Sequence, residues 1–406
     1  MTQSIAQPSV PAAPSLPHLP GLSAPAADPL LTDLPAAVAA TGAATGAAPA
    51  KAAAREAADR LAYPGPVRAY AMSIVVLIHV ASVLAPHYNT ISPGDWWIAN
   101  AYHAFSKGGP PIFTLVSGLL LLSVPATQPI PVFFRKRFVK VLIPFLFWAV
   151  VYLAWRIFFL NEQIGPFDMV KDVLDGPVYY HLWFIQMILG LYLATPILRY
   201  YVQNAPRTNL RYFVIIWFVG VTLLPAITYF TEISIRIDLV VTTAYAGYFV
   251  LGYYLRDVTL SRRQLLPCLL IVVGTMVLTE AATYLVMING GGKFDPFFLN
   301  NLGFNMVIIS VGLFLFLKSV PYTALFARLP WLGRAVALLA SCSLGVYFVH
   351  VLIMELLASG RLGFTLNWLT FGPLIGIPLD ALVVLVLSVA VVWTMQRTPI
   401  LRWFVP

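Results

Sequence analysis

The sequence predicts an all-α fold: a polytopic transmembrane helical bundle of about ten spans with both termini cytoplasmic. The chain is 60% hydrophobic and only 10% charged, against roughly 25% charged residues in soluble domains. A chain so apolar needs lipid as its solvent, and in lipid only helices or closed barrels satisfy their own backbone. Its apolar segments run about 20 residues without strict alternation, which selects helices over barrel strands. The basic residues set the orientation. Every Lys and Arg except Lys107, Arg156, Lys171, Arg236, Lys293 and Arg361 falls on one side when the spans are laid out with the amino terminus inside. That is the positive-inside bias.

Two regions follow. Residues 1–62 are rich in Ala and Pro and nearly lack aromatics, so a disordered cytoplasmic tail is expected there. A secretory signal is not expected, since no basic segment precedes a clean apolar stretch. "KAAAREAADRLA" (51–62) reads as a short amphipathic helix at the membrane surface. Residues 63–406 form the transmembrane domain, with spans near 67–86, 98–124, 138–160, 181–200, 212–230, 237–256, 264–288, 301–319, 337–358 and 374–396. "GGPP" (108–111) kinks or breaks the second. The outer loop 161–180 is acidic, with Glu162, Asp168, Asp172 and Asp175.

Composition also excludes partners. The net charge of +9 resides in short loops between spans, where it meets anionic lipid headgroups of the bilayer; nucleic acid is not an expected partner. Cys268 and Cys342 lie inside spans and show no disulfide framework. No metal-ligand spacing is present, and no metal is expected. G-x-S-x-G, H-E-x-x-H, P-loop and dinucleotide glycine motifs are missing, as is His-x4-Asp.

The candidate chemistry begins in the first span, "VRAYAMSIVVLIHV". Eleven helical steps from Arg68 to His79 close three turns with a drift of about 20°, so both share one stripe, about 16 Å apart along the axis. An arginine at the inner rim suits phosphate groups, and a histidine in a partly dry site suits general-base work. Equally, Arg68 reads as a positive-inside anchor and His79 as the partner of a carbonyl. "FFRKRFVKVLIPF" offers Arg135 and Arg137 as a phosphate clamp, or as a cluster that merely holds its loop inside. Lys107 sits in the outer part of a hydrophobic span, a costly position that demands a cavity or partner. Ser117-Gly118 permits close approach of a helix or ligand. The ninth span brings Tyr347, His350 and Glu355, with Tyr347 and His350 on one face. His181 and Trp183 open the fourth span, as an interfacial belt or a sugar platform. Glu280 and Asp380 are further buried acids, each needing a partner.

Taken together, these motifs resemble the integral membrane acyltransferase 3 family, in its bacterial O-acetyltransferase-like branch, over residues 63–396. Arg68 and His79 fit the family's arginine, ten residues, histidine signature. Ser117-Gly118-Leu119 is similar to its Ser-Gly-aromatic element, with Leu119 in the aromatic position, and Arg135-Lys136-Arg137 to its Arg-x-Arg element. "HLWFIQMILGLYLATPIL" and "SLGVYFVHVLI" resemble its fourth-span and late-span patterns. The resemblance implies a multi-pass protein of the bacterial inner (cytoplasmic) membrane. It implies acetyl-CoA or another acyl-CoA as co-substrate, taken from the cytoplasm, and transfer to a hydroxyl of a carbohydrate or glycolipid acceptor. It implies His79 as the catalytic residue and Arg68, Arg135 and Arg137 on the donor, with Ser117 grouped beside them. Lys107, His181, Trp183, Tyr347, His350 and Glu355 form the expected substrate or supporting set. The family often carries an acid three positions before the arginine. Here Gly65 stands there, so Arg68 needs another orienting group. A transporter or flippase for a lipid-linked or acylated sugar is the alternative reading. A non-catalytic subunit of a polysaccharide assembly complex is the third.

Overall fold

The computed structural model describes residues 62–84, 87, 90–233, 244–367 and 370–406. The tail read over 1–62 and its amphipathic helix lie outside these residues, Ala62 excepted. The described residues form helices and turns without strands. Nine helical stretches among them are long and apolar enough to cross a membrane.

In chain order the helices, long and short, are α1 (Pro64–Ser82), α2 (Pro93–Ser106) with α3 (Gly109–Leu122), α4 (Ile130–Phe158), α5 (Pro166–Asp175), α6 (Trp183–Asn204) and α7 (Arg207–Phe218). A π-helical turn (Val219–Leu223) joins α7 to α8 (Leu224–Thr231). Then come α9 (Ala246–Tyr254), α10 (Arg262–Asn289), α11 (Phe304–Lys318), α12 (Tyr322–Arg328), α13 (Pro330–Ala358) and α14 (Gly372–Arg397). The expected spans match these positions. For the span read over 237–256, residues 234–243 lie outside the described residues, and the rest forms α9.

Prolines mark several starts. Pro64, Pro93, Pro110 and Pro330 stand in the first turn of their helices, where an amide proton would have no intrahelical acceptor and the ring fixes a helical φ. This also explains the interrupted second span. The helix stops at Ser106, passes Lys107 and Gly108, and restarts at Gly109 under Pro110 and Pro111. α4 begins eight residues before the expected position, at Ile130, because Pro131 is tolerated in its first turn. The acidic loop 161–180 contains α5, an amphipathic helix absent from the sequence reading. Its Asp172 and the preceding Glu162 clasp Arg156 at the end of α4, at 2.5 and 2.8 Å.

α1 is apolar and buried nearly all round, the signature of a central helix. α13 runs beside it in the same direction. Arg68 of α1 meets Ala340 and Ser343, and His79, three turns on, meets His350.

The tightest crossing joins α3 to α9. A Cβ on Gly118 would lie 1.9 Å from the carbonyl oxygen of Phe249, and one on Gly252 would lie 2.0 Å from that of Leu115. Backbone touches backbone at both points. Gly118→Ala is therefore expected to destabilise the protein by about 3 kcal/mol or more, at the upper end of overpacking costs. Thermal unfolding of the detergent-solubilised variant measures this, with Gly274→Ala, whose Cβ meets nothing within 4 Å, as the matched control.

Candidate active site

The site is built on the parallel pair α1 and α13. One end of the Arg68 guanidinium donates to the Ala340 carbonyl at 2.7 Å and to the Ser343 hydroxyl at 3.1 Å. Ser343 is held in turn, donating to the same carbonyl at 2.9 Å. This is the orienting group that Gly65 does not supply: a carbonyl and a hydroxyl from α13 in place of an acid on α1.

At the other end three imidazoles meet. His79 stacks on His350, ring centroids 5.0 Å apart and planes 17° apart. His181, just before α6, stands edge-on to both, at 6.1 Å from His79 and 5.4 Å from His350. His350 Nδ1 lies 3.0 Å from the Val346 carbonyl. A carbonyl only accepts, so Nδ1 carries the proton and Nε2 keeps its lone pair. The Tyr347 hydroxyl donates to the backbone carbonyl of His181, and Tyr152 sets its ring 4.9 Å from the His181 ring while donating to Phe348 at 2.7 Å. His181 and His350 are fully buried. His79 is only partly buried, with the ring of half-exposed Tyr180 at 5.4 Å, and so is the most accessible of the three. Among the described residues no group of three or more His, Cys, Asp or Glu side chains is placed to hold a metal ion.

Lys107 stands in the break between α2 and α3. The break is seated directly against α1, for a Cβ on Gly109 would come within 2.7 Å of Val75 Cγ2. His103, buried and one turn before Lys107, was missed in the sequence. The signal was an ionisable side chain four positions from another inside one span.

The inner end gathers arginines. Arg137 is buried, one turn past Phe133, whose ring meets that of Tyr192. Arg135 is exposed. Two residues apart on a helix project about 200° apart, so Arg135 and Arg137 leave α4 in different directions. Arg199, also missed, donates to the Leu121 carbonyl at 3.1 Å and to Gln128 at 3.0 Å. It lies over the Phe133 ring and lines a cavity of about 360 Å³.

Three expected residues sit elsewhere. Trp183 packs on Tyr245 and Phe184, away from the imidazoles. Ser117 is only partly buried on α3, where Gly118 makes the close contact. Glu355 accepts from Tyr179 at 2.5 Å and from Trp155 at 2.7 Å, bracing the segment that carries Tyr180 and His181.

A family model described as an acyltransferase domain matches residues 66–397. No curated protein and no solved structure matches the chain.

Glu355→Ala would leave two donors without their acceptor. It is expected to cost about 2–4 kcal/mol, given about 1.5–3 kcal/mol for hydrogen bonds to charged groups. A fall in unfolding temperature checks this, and Glu355→Gln should recover part of the loss.

Proposed function

The chain belongs to the acyltransferase 3 family, whose model spans most of its length, and from that premise we propose the following reaction. A multi-pass membrane O-acyltransferase by family, the protein moves an acyl group, acetyl or another, from cytoplasmic acyl-CoA to a hydroxyl of a glycan or glycolipid. The membrane is the bacterial inner membrane, in keeping with the positive-inside bias.

His79 is the general base. It takes the proton from the acceptor hydroxyl as that oxygen attacks the thioester carbonyl. A tetrahedral oxyanion forms, stabilised by the nearby Lys107 ammonium. Its collapse breaks the carbon–sulfur bond and expels the CoA thiolate, which receives the proton now on His79. The products are the ester and CoA thiol, with no proton gained or lost overall. The stacked His350 and edge-on His181 hold the His79 ring in place. Arg68 and Arg137 face the donor phosphates at the inner end, while Arg135 serves as a membrane-interface cation.

One observation carries the reading. Arg68 and His79 lie on one stripe of α1 and both meet the same partner helix: Arg68 meets α13 at Ala340 and Ser343, His79 meets it at His350. Their separation of about 16 Å suits a thioester on an extended pantetheine arm.

His79→Ala is expected to lower acyl transfer from labelled acyl-CoA at least about 100-fold, the smallest loss usual for a general base, while the protein still inserts and purifies normally. A fully active alanine variant removes His79 from the reaction. Arg137→Gln is expected to raise the KM for acyl-CoA about tenfold, the equivalent of one charge-assisted contact, with a smaller change in kcat. Steady-state assays in membranes separate the two effects.

A further inference from the structure

Glu280 and Asn100 have no role in the reaction above. Both lie inside spans, where ionisable and amide groups are expensive and seldom retained without use. Glu280, on α10, is about nine-tenths buried, and Asn100, on α2, is fully buried. The two stand one helical turn from Trp97 and Tyr284, whose rings meet across α2 and α10, and so face each other. Yet neither carboxyl oxygen of Glu280 and neither polar atom of the Asn100 side chain closes a hydrogen bond. His103 Nδ1, one turn along α2, is in the same condition. Asn100, His103 and Lys107 follow one another at helical spacing on one side of α2. Gly109, two residues past Lys107, seats against Val75, one turn before His79 on α1. Polar side chains thus run from Glu280 toward the turn of α1 that carries His79. Toward the outer ends of α2 and α10, Trp97 and Tyr284 close over them with ring centroids 4.6 Å apart.

Two uses fit such a run. A proton wire is the poorer one, because Asn100 interrupts it: a carboxamide does not exchange protons as a carboxyl or an imidazole does. The reaction proposed above also balances its proton without a wire. The set does match a polyol. A hydroxyl both donates and accepts, and here a carboxyl, a carboxamide and an imidazole offer both within a small space, beneath aromatic rings that suit the apolar face of a sugar.

We propose that Glu280, Asn100 and His103 form the subsite that holds the non-reacting hydroxyls of the acceptor and so directs one hydroxyl to His79. This rests on the acyl-transfer reading. Glu280 and Asn100 are positioning residues and determine preference for polyhydroxylated over simple alcohols.

The test uses the full chain in nanodiscs, with octyl glucoside and 1-octanol as probe acceptors and a labelled alkyl glucoside for direct binding. Glu280→Gln keeps the shape of the side chain, and Asn100→Ala removes the amide. Each is expected to weaken glucoside binding at least tenfold and to lower kcat/KM on octyl glucoside by a similar factor. Transfer to 1-octanol and hydrolysis of acyl-CoA should stay within twofold of wild type, which a general loss of fold would not allow. His79→Ala should bind the glucoside as wild type does. Unchanged glucoside binding in both variants, or an equal fall on glucoside and octanol, overturns the proposal. The two readings fail separately. Wild-type protein that binds glucoside through Glu280 but never turns over acyl-CoA defeats the acyl-transfer reading alone. Turnover that depends on His79 but ignores Glu280 and Asn100 defeats the subsite alone.

Discussion

The contact between α1 and α13 is the constraint on which the rest depends. Two helices lie side by side in the same direction, and the offset that brings Arg68 to Ala340 is nearly the one that brings His79 to His350. A guanidinium inside a membrane protein is costly unless its donors are met. Here a backbone carbonyl and a hydroxyl meet them. That grip fixes the axial register of the pair. The register then decides which residue of α13 lies against His79, and so places the imidazole cluster. The inner and outer ends of the site are one rigid arrangement rather than two neighbouring ones.

Around this pair the remaining elements each supply one wall. The interrupted span delivers Lys107 at the depth of His79, because Pro110 and Pro111 permit a restart there and Gly109 permits close seating on α1. The segment before α6 delivers His181, braced by Tyr347, Tyr152 and the Glu355 pair of bonds. α4 and α6 bring Arg137 and Arg199 to the inner end. At the inner end of α11, Lys318 donates to the carbonyls of Leu255 at 2.7 Å and Val258 at 3.0 Å, and also to that of Arg256. It thereby satisfies the carbonyls at the end of α9 that have no helical partner.

Much of this could be read in the residues. The Arg68–His79 stripe needed only the pitch of a helix, and the break at "GGPP" only the chemistry of proline. The opposed directions of Arg135 and Arg137 followed from the same pitch, but only once α4 was known to start at Ile130 rather than eight residues later. What could not be read was which spans are neighbours. Nothing periodic joins position 79 to position 350, or 100 to 280, because helix packing in lipid follows small-residue fit and polar contacts spread across the chain. α5 was hidden for another reason. Its acids resembled a solvated loop, while its apolar positions, such as Phe167 and Leu174, turn outward and remain exposed.

The glycine crossing of α3 and α9 has a mechanical consequence. With Gly118 pressed on one carbonyl and Gly252 on another, these two helices can neither roll nor glide against each other without steric collision. Any breathing of the bundle must come from segments with looser neighbours, and α10 is one of these: most of its apolar surface is exposed. The helix that carries Glu280 thus has more room to shift than either member of the glycine crossing.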